Sequence, residues 1–310
     1  MRLAIALLLL TTAAWADRND LQLYRLGHAD DLNCTLCDGQ PGDVKEPGTV
    51  AAQMRFHMLA SLLGLAFVPQ FQEPAGTLGQ SGFEIGIGSQ QAFLRMPAEA
   101  WAGSGPKPEV LVLPGVALRK GLGGSLELGL AASWLTQSQM FALSAELRWA
   151  VVEGLPRAPD VALRAHGTRL LGSRELDLTT AGADLAVSKD FAVAGVARLQ
   201  PVFQAGIVFV NAATTVIDFK PAAENDANPT ADDATFRTVS LLDNRYLRAA
   251  AGLRLVTGVW VVGVEGSFAT GKNRVQADPL PASQCTAGDC TPPEQTVRLW
   301  TVAGRAGVTF

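Results

Sequence analysis

Charge is scarce in this chain. Asp, Glu, Lys and Arg make up 17% of its 310 residues, the formal net charge is −4, and Lys and Arg form no block. A nucleic-acid binder needs clustered cations to neutralise phosphates, so that class is excluded. Histidine is nearly missing as well, with only His28, His57 and His166. No H-E-x-x-H helix and no G-x-S-x-G elbow occurs, which leaves neither hydrolase signature in place. After the first sixteen residues no apolar run reaches the roughly 20 residues that a membrane helix requires. Yet 48% of the residues are hydrophobic and the mean hydropathy is +0.19, too apolar for a disordered chain. An apolar chain without helical spans must bury its apolar surface some other way.

Arg2, the apolar run from Leu3 to Leu10 and the small-x-small site Ala14-Trp15-Ala16 read as a secretory signal peptide over 1–16, cleaved before Asp17. Such a leader delivers the chain to an oxidising compartment. The cysteines fall as two local pairs, Cys34 with Cys37 and Cys285 with Cys290. The carboxylates around Cys34 would raise a thiol pKa, the opposite of what a redox centre needs. Two local disulfides are therefore expected, with no metal site and no cofactor.

From residue 82 the dominant signal is a period of two. In the segment from Phe141 to Val151, Phe141, Leu143, Ala145, Leu147, Trp149 and Val151 share one parity, opposite Ser144, Glu146 and Arg148. A period of two places such sets on opposite faces of a strand. Strands are expected at 82–91, 109–120, 124–136, 139–151, 160–171, 174–188, 194–211, 243–256, 258–270 and 296–310. Each meets the roughly 9–11 residues that a tilted membrane strand requires. The alternation slips near Thr180, where a bulge is expected, and Pro201 in the seventh strand would suit an edge.

The two faces differ in kind. The polar parity holds small residues and the charges Glu84, Arg119, Glu127, Glu146, Arg148, Arg164, Arg198, Arg248, Arg254, Glu265 and Arg305. A water-facing sheet would carry many lysines and carboxylates; sparse charges rich in Arg suit a confined lumen where guanidinium groups pair with carboxylates. Trp134, Trp149, Trp260 and Trp300 lie on the apolar parity near strand ends, two towards each side, as in an aromatic girdle. Segments 92–108, 212–242 and 271–295 are long, whereas the turns near Gly121, Ser188 and Gly258 are short. With the short turns inside, both chain ends are expected in the periplasm. The fold expected is all-β, a transmembrane antiparallel up-and-down barrel of about ten strands over 82–310.

The last strand adds apolar or small residues at every second position, Val302, Gly304, Ala306 and Val308, and ends on Phe310. Together with the leader and the alternating strands, this resembles the outer-membrane β-barrel proteins of Gram-negative bacteria, and the terminal pattern is similar to the signal read by their barrel-assembly machinery. The resemblance spans about three quarters of the chain and names a class, not a subfamily. It implies outer-membrane lipid and the assembly machinery as partners.

Residues 17–81 are expected to form a periplasmic segment. Within it Thr49 caps a helix over about 49–64 that carries Val50, Met54, Met58, Leu62 and Leu63 on one face and Arg55 on the other. That helix is expected at the barrel mouth or in its lumen, with His57 on its surface; His28 reads as a loop residue and the acidic stretch 221–233 as solvated. The functional expectation is a non-enzymatic barrel, a structural or interaction protein or a narrow pore. The alternatives are a transporter of small or apolar molecules plugged by the helix, and a hydrolase built on His166.

Overall fold

The computed structural model describes residues 18–28, 50–70, 73–219, 233–241, 244–273 and 294–310. The leader, all four cysteines and the acidic stretch 221–232 lie outside the described residues. Along the chain come α1 (Arg25–His28), α2 (Val50–Ala66), β1 (Phe83–Phe93), β2 (Val110–Gly121), β3 (Leu126–Trp134), β4 (Phe141–Val152), β5 (Asp160–Leu171) and β6 (Leu176–Ser188). The three-residue β7 (Phe191–Val193), then β8 (Ala197–Thr214), the two-residue β9 (Ile217–Asp218) and β10 (Asp233–Ala234), β11 (Arg245–Thr257), β12 (Trp260–Asn273) and β13 (Gln295–Thr309) follow.

Ten of these strands close into an antiparallel barrel. Neighbours along the chain pair with one another, β8 pairs with β6 and β11, and the ring is sealed where β1 meets β13, Glu84 opposite Thr309 and Phe93 opposite Trp300. Closure leaves no free edge, which is how a sheet satisfies its backbone polar groups within lipid.

Period two puts the large apolar side chains outside. Ile87, Leu130, Leu147, Trp149, Phe203, Leu247, Val262 and Val264 are among them, with exposures of 46–66%. They recur on every barrel strand and form a continuous belt, far beyond the few hundred Å² that a water-soluble monomer exposes. Trp134 and Trp300 point outward towards one end of this belt, Trp149 and Trp260 towards the other. Val302 and Phe310 also face outward on β13 and at its end. Away from the mouths most of the inner parity is buried, so the barrel is a filled cylinder, apolar towards lipid.

Several details depart from the expectations. Of the two expected positions for α2, mouth or lumen, it takes the lumen, and residues 67–70 and 73–76 follow it there. The ladder runs unbroken through Thr180, which pairs with Thr168 and Val210; the register shift lies instead between Ala150 and Val152. The sequence alternation is masked in β6 because its inward residues Leu176 and Leu178 are themselves apolar, packed on the interior filling. Pro201 sits in a fully flanked strand, not at an edge. Its carbonyl accepts from Lys189 N at 3.4 Å, one residue beyond the last β6 pair, Ser188 with Val202, so its missing N–H falls where that ladder has already ended.

Residues 18–28 sit apart from Phe310. Leu21 forms a β-bridge with Gly103, and Asn19 N donates to Gln137 O at 2.8 Å. Both partners belong to connectors at the end opposite Phe310. Residues 18–28 and the C-terminus therefore stand at opposite ends of the barrel.

Candidate functional site

The interior has two layers. In the half nearest the long connectors, α2 is enclosed, with only Met54, Arg55 and Met58 half-buried among its described side chains. Phe56, Leu59, Leu62, Leu63 and Phe67 pack against inward residues Leu113, Leu178, Val208, Val210, Val297 and Leu299 of the wall. A Cβ on Gly64 would lie 2.9 Å from Val210 Cγ1, so only glycine admits this close approach of helix to strand. Phe236 from the long connector stacks on Phe56 at 4.8 Å and caps the helix from above. The expected single apolar stripe with a solvated back is replaced by a helix that is apolar nearly all round, as a fully enclosed helix must be. His57 is accordingly buried, not on a surface, and neither ring nitrogen has a hydrogen-bond partner among the described residues. Arg55 donates to Leu26 O at 2.6 Å.

Below α2 the chain continues as an extended thread, and here the lumen turns ionic. Glu73 is the hub. Its carboxylate lies 2.8 Å from Arg119 Nε and 3.0 Å from Arg305 Nη1, and it also pairs with Arg148. Around it, Arg119 donates to Glu127 at 2.9 Å and Arg148 approaches Glu146 at 3.5 Å. Arg164 bridges Glu146 at 3.4 Å and Asp184 at 3.0 Å. Arg248 pairs with Glu265 at 3.0 Å. Arg254 joins Glu84 and donates from Nη1 to Gln200 Oε1 at 2.7 Å, while Arg305 reaches Glu84 at 3.2 Å.

The carboxylates of Glu73, Glu84, Glu127, Glu146, Asp184 and Glu265 thus match the guanidinium groups of Arg119, Arg148, Arg164, Arg248, Arg254 and Arg305 one for one. All twelve side chains are at least nine-tenths buried. Charges taken out of water at such cost persist only in mutual pairing, and planar guanidinium groups serve several carboxylates at once.

Arg198 does not join this lattice. It has the inward parity but lies at the short-turn mouth, 60% exposed and 3.6 Å from Asp190. Glu73 and Asp184 are the members that sequence reasoning missed. Glu73 lies in a thread without periodicity, and Asp184 lies in the strand whose alternation seemed broken. The signal was an excess of arginine over carboxylate among the inward positions, an imbalance that a low-dielectric lumen does not sustain.

His166 lies in this lattice on β5, its Nε2 3.3 Å from Asp184 Oδ2, with its side chain fully buried. Ser144 and Thr168 share a hydrogen bond of 2.9 Å on the next rung. Glu73, Glu127 and Glu146 bring carboxylate oxygens within 4.8 Å of one another. The arginines already occupy this cluster, which leaves no uncompensated negative charge to hold a cation.

The thread leaves the lumen at the opposite end. Glu153 Oε2 accepts from Thr77 N and Thr77 Oγ1, both at 2.9 Å, and Ser125 Oγ donates to its other oxygen at 2.6 Å. Partial burial opposes ionisation of Glu153, but these three donors outweigh it and hold the carboxyl below its ordinary value. Gly79, at φ 75°, turns the thread into β1.

No protein-family model matches the chain, and no curated protein is similar to it. Solved structures similar to it are barrels. The N-terminal β-barrel domain of Pseudomonas aeruginosa OprF is 13% identical, covering 75% of this chain and 99% of its own, at a TM-score of 0.29. Ail, the attachment invasion locus protein of Yersinia pestis, is 12% identical over 74% of this chain and 99% of its own, at 0.26. The outer-membrane protease OmpT from Escherichia coli is 10% identical over 74% of this chain and 95% of its own, at 0.39. At these scores the strand ladder and the apolar exterior of the chain itself carry the assignment: it is a transmembrane β-barrel with a charge-filled lumen.

Proposed function

We propose that this chain is an outer-membrane barrel of a Gram-negative bacterium whose lumen is permanently filled, and that it serves as a structural or interaction protein presenting its long connectors. The reading rests on one observation above all: α2 closes one half of the lumen and the Glu73 lattice closes the other. Beside the thread near Phe67 and Pro69 the wall leaves a cavity of about 70 Å³, which admits a few waters and no solute of metabolic size. The larger space of about 600 Å³ beside Thr77, Glu153 and Arg254 lies at the short-turn mouth, beyond the Glu73 lattice.

The exterior belt, the long connectors at one end and the tight turns at the other support an outer-membrane setting. A catalytic role finds no support at His166, which is sealed from any substrate. Planar-bilayer recordings test the closed lumen. The intact protein is expected to give no steady current, and removal of residues 50–76, which takes out α2 and Glu73 together, to produce discrete openings. A steady open current from the intact protein would overturn the reading. Membrane fractionation with heat-modifiable gel migration tests the location, and His166→Ala is expected to leave cellular function intact.

A further inference from the structure

We infer that the barrel is the conduit for its own N-terminal arm: the chain crosses the membrane once inside its lumen, setting residues 18–28 on the outer face while Phe310 stands on the inner one. The inference deepens the reading above and rests on its orientation, with long connectors outward.

Three stations mark the route. At the outer end, Asn19 Nδ2 donates to Thr136 O at 2.7 Å, and Gln139 N and Ser138 Oγ both donate to Asp20 at 2.8 Å. In the middle, Gln70 Nε2 donates to Ser267 Oγ at 3.0 Å and Ala75 N to Ser188 Oγ at 2.7 Å, on either side of Glu73. At the inner end, Leu78 N donates to Glu127 Oε2 at 3.0 Å, Lys120 Nζ reaches Gln80 O at 3.2 Å, and Phe83 N donates to Phe310 O at 3.1 Å.

Among the described residues the thread pairs with no strand, and an irregular backbone at membrane depth is tolerated only where protein serves its polar groups. The wall does so here. Gln90 Nε2 donates to Ala66 O at 2.6 Å and Arg148 Nη1 to Pro74 O at 2.8 Å. The same segment outside the barrel would carry a carboxylate and these carbonyls through lipid. Glu73 then acts as the lock, since three arginines hold one side chain of the arm.

Epitope insertions test this in intact cells: one between Asp17 and Arg18, one after Pro106 in an outer connector, and one after Gly258 in an inner turn. Heat-modifiable migration confirms that each variant holds a folded barrel. Antibody labelling is expected at the first two sites in intact cells, and at the third only after the outer membrane is permeabilised. Labelling after Pro106 but not before Arg18 would overturn the conduit while leaving the orientation standing. Labelling after Gly258 alone would overturn the orientation, and the outward display with it. Independently of orientation, Ala75→Cys with Ser188→Cys, in a chain lacking its native cysteines, is expected to form an internal crosslink on oxidation. A folded barrel without that crosslink would place the thread elsewhere and end the proposal.

Discussion

Gly129, Gly182 and Gly206 each stand opposite a lumen side chain across the ladder, Glu146, His166 and Asp184 respectively. A Cβ on Gly206 would come within 2.2 Å of both Ala183 O and Asp184 Oδ1. The abundance of glycine, 31 residues, thus has a partial explanation in space and not in backbone freedom: long ionic side chains lie flat across the facing residue. Gly206→Ala is expected to destabilise the barrel by about 1–3 kcal/mol, the usual cost of overpacking. Gly266→Ala, with nothing within 4 Å of its added methyl, is expected to be neutral. Urea titrations of the two variants in micelles make the comparison. Glu73→Gln removes one charge from three arginines and is expected to cost about 3–5 kcal/mol by the same measurement, as breaking a buried ionic set does.

Thread, helix and strand differ in how openly they announce themselves. The strands were readable because lipid on one side and a polar lumen on the other force a strict alternation, as in Phe141 to Val151. The helix was readable as a helix but not as an enclosed one, since Met54, Met58 and Leu62 suggested a single stripe while the buried Phe56, Leu59 and Leu65 spread around the axis. The thread was not readable: extended backbone held by side chains has no period, and Glu73 looks like any loop carboxylate. Its exit is pH-sensitive. The Glu153 carboxyl is held below its ordinary value, so the anchoring of Thr77 is complete above about pH 4.5 and is lost as pH falls through that value and then through the lower folded one. Hydrogen exchange at Thr77 and Leu78, corrected for its intrinsic pH dependence, is expected to accelerate in that acid range. Glu153→Gln is expected to remove the pH dependence.

At the scale of the whole molecule the exterior decides the environment. Val264 faces outward between the Trp260 end and the Trp300 end, 56% exposed. Val264→Arg is expected to cost about 2–4 kcal/mol, the penalty for a cation near the bilayer midplane. Refolding yield into lipid vesicles checks it. The opposed placement of residues 18–28 and Phe310 has a consequence for engineering. Circular permutation joins the old termini and cuts a new pair elsewhere. Here a linker from Arg18 to Phe310 would have to pass either through an interior already occupied or around the perimeter across the bilayer. A flexible polar tie does neither, so joining residues 18–28 to Phe310 takes an apolar segment of about 20 residues that crosses the bilayer itself, however permissive the surface turns are to cutting.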